Sequence, residues 1–193
     1  DNGAERTCAD DGHDCTLTCS GFRACFKMTI HGPPHPHKLH VICTGGGGAT
    51  CYEIQVHGEA SAGVRFTCGT TGNECGYYAD IFCPACDQED APNDGCDAGG
   101  NSGSAGASVC AVSCTASSSG QQYTCDGMQV YSGPGGAEVT CTEVGDAQDT
   151  SVGTCGNLQL HAPPDDGTTA VAATPLSLAC ASCKSSSTSS SEW

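Results

Sequence analysis

Short runs of this chain alternate apolar and polar residues, and two kinds of run recur. Residues 25–32 read CFKMTIHG and residues 51–58 read CYEIQVHG. Each opens on Cys, carries apolar side chains at its second, fourth and sixth positions, and ends in His-Gly. The residues between, Lys27 and Thr29 in one copy and Glu53 and Gln55 in the other, share only polarity. Looser copies stand at 125–131 (CDGMQVY) and 155–161 (CGNLQLH). A second phrase, apolar-x-Cys closing an alternating run, appears as LTC (17–19), VIC (41–43), FTC (66–68), IFC (81–83), VSC (112–114), VTC (139–141) and LAC (178–180). The stretch CGYYADIFC (75–83) reads as a degenerate first phrase merging into the second. Period-two alternation predicts half-buried strands, with alternate side chains turned inward. No segment of a dozen residues has the three-and-four apolar spacing of a helix, so little or no helix is expected.

The phrases are periodic. The first recurs at Cys25, Cys51 and Cys75, in steps of 26 and 24, and the second at Cys19, Cys43 and Cys68, in steps of 24 and 25. Two phrases locked to one period predict stacked coils. The expected fold is all-β, a disulfide-rich right-handed parallel β-helix (β-solenoid), because parallel crossovers have a fixed hand. Phe26, Met28 and Ile30 are expected inside one coil, with Phe26 beside Tyr52 and Met28 beside Ile54 of the next. A longer repeat overlies the coils. Cys8, Cys15, Cys19 and Cys25 correspond in order to Cys96, Cys110, Cys114 and Cys125, and Cys68, Cys75, Cys83 and Cys86 to Cys141, Cys155, Cys180 and Cys183. Two tandem homologous halves are therefore expected, 1–90 and 91–184. The acidic stretch DQEDAPNDG (87–95) is the seam, and 185–193 forms a Ser-rich tail.

Composition explains how so thin a core could hold. Eighteen of 193 residues are Cys, while Phe, Trp and Tyr make only 5%. That many thiols point to an oxidising, extracellular setting in which disulfides replace part of the core. Each second-phrase Cys is followed across a polar loop by another Cys. Pairing of sequence neighbours is expected: Cys8–Cys15, Cys19–Cys25, Cys43–Cys51, Cys68–Cys75, Cys83–Cys86, Cys96–Cys110, Cys114–Cys125, Cys141–Cys155 and Cys180–Cys183. Net charge is −16 with six Lys and Arg, which argues against nucleic acid and anionic membranes as partners. No apolar run reaches the ~20 residues needed to span a bilayer, so no membrane insertion is expected. The chain begins DNGAERT, without Met or an apolar leader, and reads as a processed form or a segment of something longer.

Candidate chemistry is sparse. CPAC (83–86) and CASC (180–183) match a redox pair, but no helix is expected beside them to lower a thiol pKa. The run HGPPHPHKLH (31–40) gathers His31, His35, His37 and His40, yet His31 shares its repeat slot with His57, His161 and Tyr131, which suits a stacking or turn position better than a ligand set. Asp10, Asp11 and Asp14, and the acids from Asp87 to Asp97, lack the spacing of an EF-hand loop. The outward positions Lys27, Thr29, Glu53, Gln55, Gln129 and Gln159 form no acid ladder for glycoside chemistry. No catalytic residue, metal or cofactor is assigned, and the chain is not expected to be an enzyme. There is no N-x-S/T sequon. Candidate O-glycosylation positions are Ser185, Ser186, Ser187, Thr188 and Ser189 of the tail and the Pro-rich turn at Pro33, Pro34 and Pro36.

The Cys-φ-x-φ-x-φ-His-Gly and φ-x-Cys phrases, over residues 8–183, resemble Cys-rich parallel β-helix modules of extracellular algal and protist fibre proteins, mastigoneme-like or glycofibril-like. The resemblance implies a structural subunit of a surface filament, with copies of itself and attached glycans as partners. A carbohydrate-binding or adhesion module on the same scaffold is the alternative, and a polysaccharide lyase-like protein a third.

Overall fold

The computed structural model describes residues 3–44, 48–70, 75–85, 110–116, 123–133, 135–143, 154–162 and 176–180. In chain order the strands are β1 (Glu5–Thr7), β2 (Cys15–Ser20), β3 (Thr29–His31), β4 (Lys38–Thr44), β5 (Gln55–His57), β6 (Gly63–Thr70), β7 (Asp80–Phe82), β8 (Cys110–Ala116), β9 (Gln129–Tyr131), β10 (Ala137–Glu143), β11 (Gln159–His161) and β12 (Leu176–Cys180). No helix occurs among the described residues. The chain is all-β and makes two six-stranded parallel sheets. The odd-numbered strands, three residues each, lie in the order β1-β3-β5-β7-β9-β11, and the longer even-numbered strands in the order β12-β10-β8-β6-β4-β2. Each long strand and the short strand after it thus add one layer to both sheets.

Register is one-to-one, so like side chains stack. Cys19, Cys43, Cys68, Cys114 and Cys141 form one column of the long sheet. Leu17, Val41, Phe66, Val112 and Val139 form the next. Facing them are Ile30, Val56, Ile81, Val130 and Leu160 of the short sheet. These columns merge into one core cluster between the sheets. Each fully buried aliphatic side chain contributes roughly 1.5–3 kcal/mol, so the thin interior draws its stability from repetition.

The corner leading to each short strand is not strand, contrary to the expectation that alternation begins at Phe26. The amides of Ala24, Phe26 and Met28 donate to the carbonyls of Gly21, Arg23 and Cys25 at 3.2, 3.3 and 3.4 Å, giving three overlapping turns. Their third residues, Arg23, Cys25 and Lys27, have φ of 53°, 54° and 54°. Left-handed backbone interrupts the pleat. Met28 and Ile30 still point inward, but Phe26 and Tyr52 are only half-buried and stack on one another at the corner, 5.3 Å apart.

Disulfides pin these corners. Cys19–Cys25, Cys43–Cys51, Cys68–Cys75, Cys114–Cys125 and Cys141–Cys155 each join a long strand to the following short strand, and Cys8–Cys15 joins β1 to β2. All six join sequence neighbours. Cys83 does not. It bonds Cys110, which overturns the expected pairs Cys83–Cys86 and Cys96–Cys110. The reason is a misread strand: IFC (81–83) imitates a long-strand ending, but Asp80–Phe82 is the short strand β7. Cys83 therefore occupies the position of Cys8. Each follows a short strand and donates its amide to the next layer at 2.9 Å, Cys8 to the His31 carbonyl and Cys83 to that of Tyr131. Their partners Cys15 and Cys110 share one column of the long sheet, with Leu39 and Val64 between them. Cys86, Cys96 and Cys183 lie outside the described residues, as does the side chain of Cys180. Both sheets run across the 90/91 boundary, through β6–β8 and β7–β9.

Candidate functional site

Outward side chains of the short sheet form two columns. In one, five rings stack face to face: His31–His57 at 4.9 Å, His57–Phe82 at 4.6 Å, Phe82–Tyr131 at 4.7 Å and Tyr131–His161 at 4.5 Å, all within 17° of parallel. Thr7 continues the column below His31. The slot read from sequence as a stacking or turn position is a stacking one, and Phe82 is the member that the misread IFC phrase concealed. The second column is polar: Glu5, Thr29, Gln55, Asp80, Gln129 and Gln159. Tyr131 donates its hydroxyl to Gln129 at 2.6 Å. Glu5 lies 3.3 Å from His31 Nε2, and Glu59 lies 3.1 Å from His57 Nδ1. Burial pushes the Asp80 carboxyl above its ordinary value, against the opposing pull of the Gln55 hydrogen bond and of His57 and His161.

Glycine explains why His-Gly closes the repeated phrase. A Cβ on Gly58 would sit 1.9 Å from Val64 Cγ2, and one on Gly32 would sit 2.3 Å from the Ser61 hydroxyl. The ring turns outward onto its neighbours, and the next residue must pass tightly over the inner wall.

A second cluster gathers at the disulfide corners. Phe26 and Tyr52 stack at 5.3 Å, Tyr52 and Tyr77 lie at 5.3 Å, Tyr77 and Tyr78 at 4.0 Å, and Tyr77 and Tyr123 at 5.0 Å. The Arg23 guanidinium lies 5.2 Å from the Phe22 ring centre and 5.5 Å from that of Phe26. Lys27 pairs with Glu53 of the next layer at 3.0 Å. Four of the chain's five tyrosines meet here, and Phe22 and Tyr78 remain 69% and 49% exposed. A hydrogen bond with Tyr78, with burial second, holds the Tyr77 phenol above its ordinary value. Sequence reading missed this cluster because it placed Phe26 and Tyr52 inside. The signal was there in the aromatic residues just after Cys25 and Cys51.

The histidines of the 31–40 run separate. His31 joins the ring column, His35 and His37 lie in the turn before β4, and His40 faces outward on the long sheet. Stacked imidazoles such as His31 and His57 direct their lone pairs along parallel planes rather than toward one point. The one group of three ligand-type atoms within 4.8 Å among the described residues is Cys19, Cys25 and Cys51, all held in disulfides. Asp14 accepts the Lys38 amide at 2.8 Å and so fixes the start of β4. Pro33 is buried, with its carbonyl accepting the Ser61 hydroxyl at 2.7 Å. Pro34 and Pro36 are exposed. Ser185, Ser186, Ser187, Thr188 and Ser189 lie outside the described residues.

These features define a disulfide-pinned, all-β protein of two parallel sheets. No family model, curated protein or solved structure matches the chain. Among the described residues no helix is long and apolar enough to cross a membrane, and seven disulfides there indicate an oxidising environment.

Proposed function

We propose that this chain is a structural subunit of an extracellular filament or surface fibre, a right-handed β-solenoid of two tandem halves that is O-glycosylated and assembles with copies of itself. The observation that carries this reading is the combination of two parallel ladders with a disulfide at five successive long-to-short corners. Its mechanism is mechanical. Layers in one-to-one register resist bending, and each short cross-linked loop loses less entropy on folding, worth about 2–3 kcal/mol in the chain-entropy model. The resemblance to Cys-rich fibre modules supports the same role. Size-exclusion chromatography and negative-stain microscopy of the oxidised protein test it: filaments or end-to-end oligomers are expected, and a monodisperse monomer at high concentration overturns it.

A second reading, a carbohydrate-binding or adhesion module, is favoured by one observation, the exposed rings of Phe22 and Tyr78. A sugar packs its C–H face on a ring face. The five-ring column covers its own faces and leaves the aromatic corner as the place for such a contact. Glycan-array binding that Phe22→Ala and Tyr78→Ala together abolish would establish it, and no binding at any glycan would end it.

A further inference from the structure

The two ends of the long sheet are built differently from its middle. On β12, Leu176 and Leu178 are 38% and 50% exposed, although the four interior members of each of their columns are buried. Among the described residues, β12 bonds to β10 alone, and at the far end β2 bonds to β4 alone. Exposed strand edges normally carry charge, especially Lys, or Pro to prevent pairing. Neither β2 (CTLTCS) nor β12 (LSLAC) has a charged residue or a proline, in a chain of net charge −16. The two edges are also in phase. Continuing the one-to-one register would set Leu176 opposite Cys15, Leu178 opposite Leu17 and Cys180 opposite Cys19 of a second copy.

The short sheet does the reverse at its first edge. β1 reads ERT and is exposed throughout, and Arg6 stands in the column that Ile30, Val56, Ile81 and Val130 fill with buried apolar side chains. In an end-on contact Arg6 would meet Leu160 of the copy below. Its guanidinium must then leave the apolar column for water, with the stem left behind.

We propose that a second copy of this chain docks end-on by pairing its β2 with β12, that Leu178 against Leu17 is the apolar centre of the contact, and that Arg6 is a brake that sets its strength. The proposal rests on the fibre reading and adds the surface, register and control residue. The contact is head-to-tail, and such contacts propagate when the rotation between copies does not close a ring. Parallel strand addition also leaves the same edge free on the newest copy.

Three forms of the intact oxidised chain test this: wild type, Leu178→Lys and Arg6→Leu. Each is first checked for unchanged circular dichroism and disulfide map, since both substitutions fall on exposed edge strands. Sedimentation velocity over a concentration series is expected to show assembly of wild type, a shift of the midpoint to about tenfold higher concentration or more for Leu178→Lys, and a shift to lower concentration for Arg6→Leu. A photo-crosslinking residue at position 178 should label the peptide containing Leu17. Wild type and Leu178→Lys assembling alike, or crosslinks elsewhere, would overturn the docking edge while leaving the fibre reading intact. Monomers throughout the series for wild type and Arg6→Leu would end both.

Discussion

Gly58 and Asp80 show how much a single position carries when layers stack without slack. A methyl on Gly58 would overlap Val64 Cγ2 and stand 3.1 Å from the Phe82 carbonyl oxygen, in the layer above. Backbone and a β-branched neighbour cannot both give way. Gly58→Ala is expected to lose about 1–3 kcal/mol in chemical denaturation of the oxidised protein, the usual range for overpacking. Asp80 is a different case. Its folded-state pKa lies above the unfolded value, so the folded form binds the proton more tightly. Stability therefore falls as pH rises through the window above about 4, where the unfolded carboxyl ionises first. Asp80→Asn should melt higher than wild type at neutral pH, and the gap should narrow as the pH drops toward that value. A variant that melts lower at neutral pH would show that the ionised carboxylate is held by its neighbours rather than strained by burial.

At the scale of the element, the ring column does what hydrogen bonds cannot do for three-residue strands. A strand of this length makes few ladder bonds, and a stacked ring adds about 0.5–1.5 kcal/mol per pair beyond its buried area. His57 sits between His31 and Phe82, so His57→Ala removes two stacked contacts and the Glu59 partner. The expected loss is about 1–3 kcal/mol, and His57→Phe should recover most of it. Equal losses for the two variants would mean that the Glu59 contact, not stacking, is what His57 contributes. The column was legible in part: His31, His57, Tyr131 and His161 share a slot that repetition alone exposes. Phe82 was not, because Ile81-Phe82-Cys83 also matches the other phrase, and a three-residue strand is too short for periodicity to arbitrate. The aromatic corner was illegible for a related reason. Period-two reasoning assumes pleated backbone, and the left-handed residues Cys25, Lys27, Cys51 and Glu53 break the pleat where the rings of Phe26 and Tyr52 leave it.

Across the whole molecule, continuity decides behaviour. The two sequence halves are not separated in the sheets: β6 pairs with β8 over seven residues, and β7 with β9 over three. Val64, Phe66 and Cys68 of one half are buried against Cys110, Val112 and Cys114 of the other. Urea unfolding with the disulfides intact should therefore run as one transition across both halves, monitored by circular dichroism and by Tyr fluorescence. Two separated transitions would mean that the β6–β8 junction is weaker than the layers on either side. The Cys83–Cys110 bridge spans this same junction, and it is the one described disulfide that closes a long insertion rather than a short corner.

The sequence by itself determined the period, the long strands, the inward positions from Met28 and Ile30 onward and the six local disulfides, because each depends on residues that repeat or lie close along the chain. Alternation selects a face, and a short loop leaves a cysteine few partners. Tertiary structure alone decided that Cys83 bonds Cys110, that Phe82 joins the rings, and that the corner aromatics lie outside. Each of these turns on which sheet a short segment enters and on where the backbone becomes left-handed. Those choices are made by pairing with the layers above and below, and their free energy is stored in neighbours distant along the chain, as Phe82 and Tyr131 are.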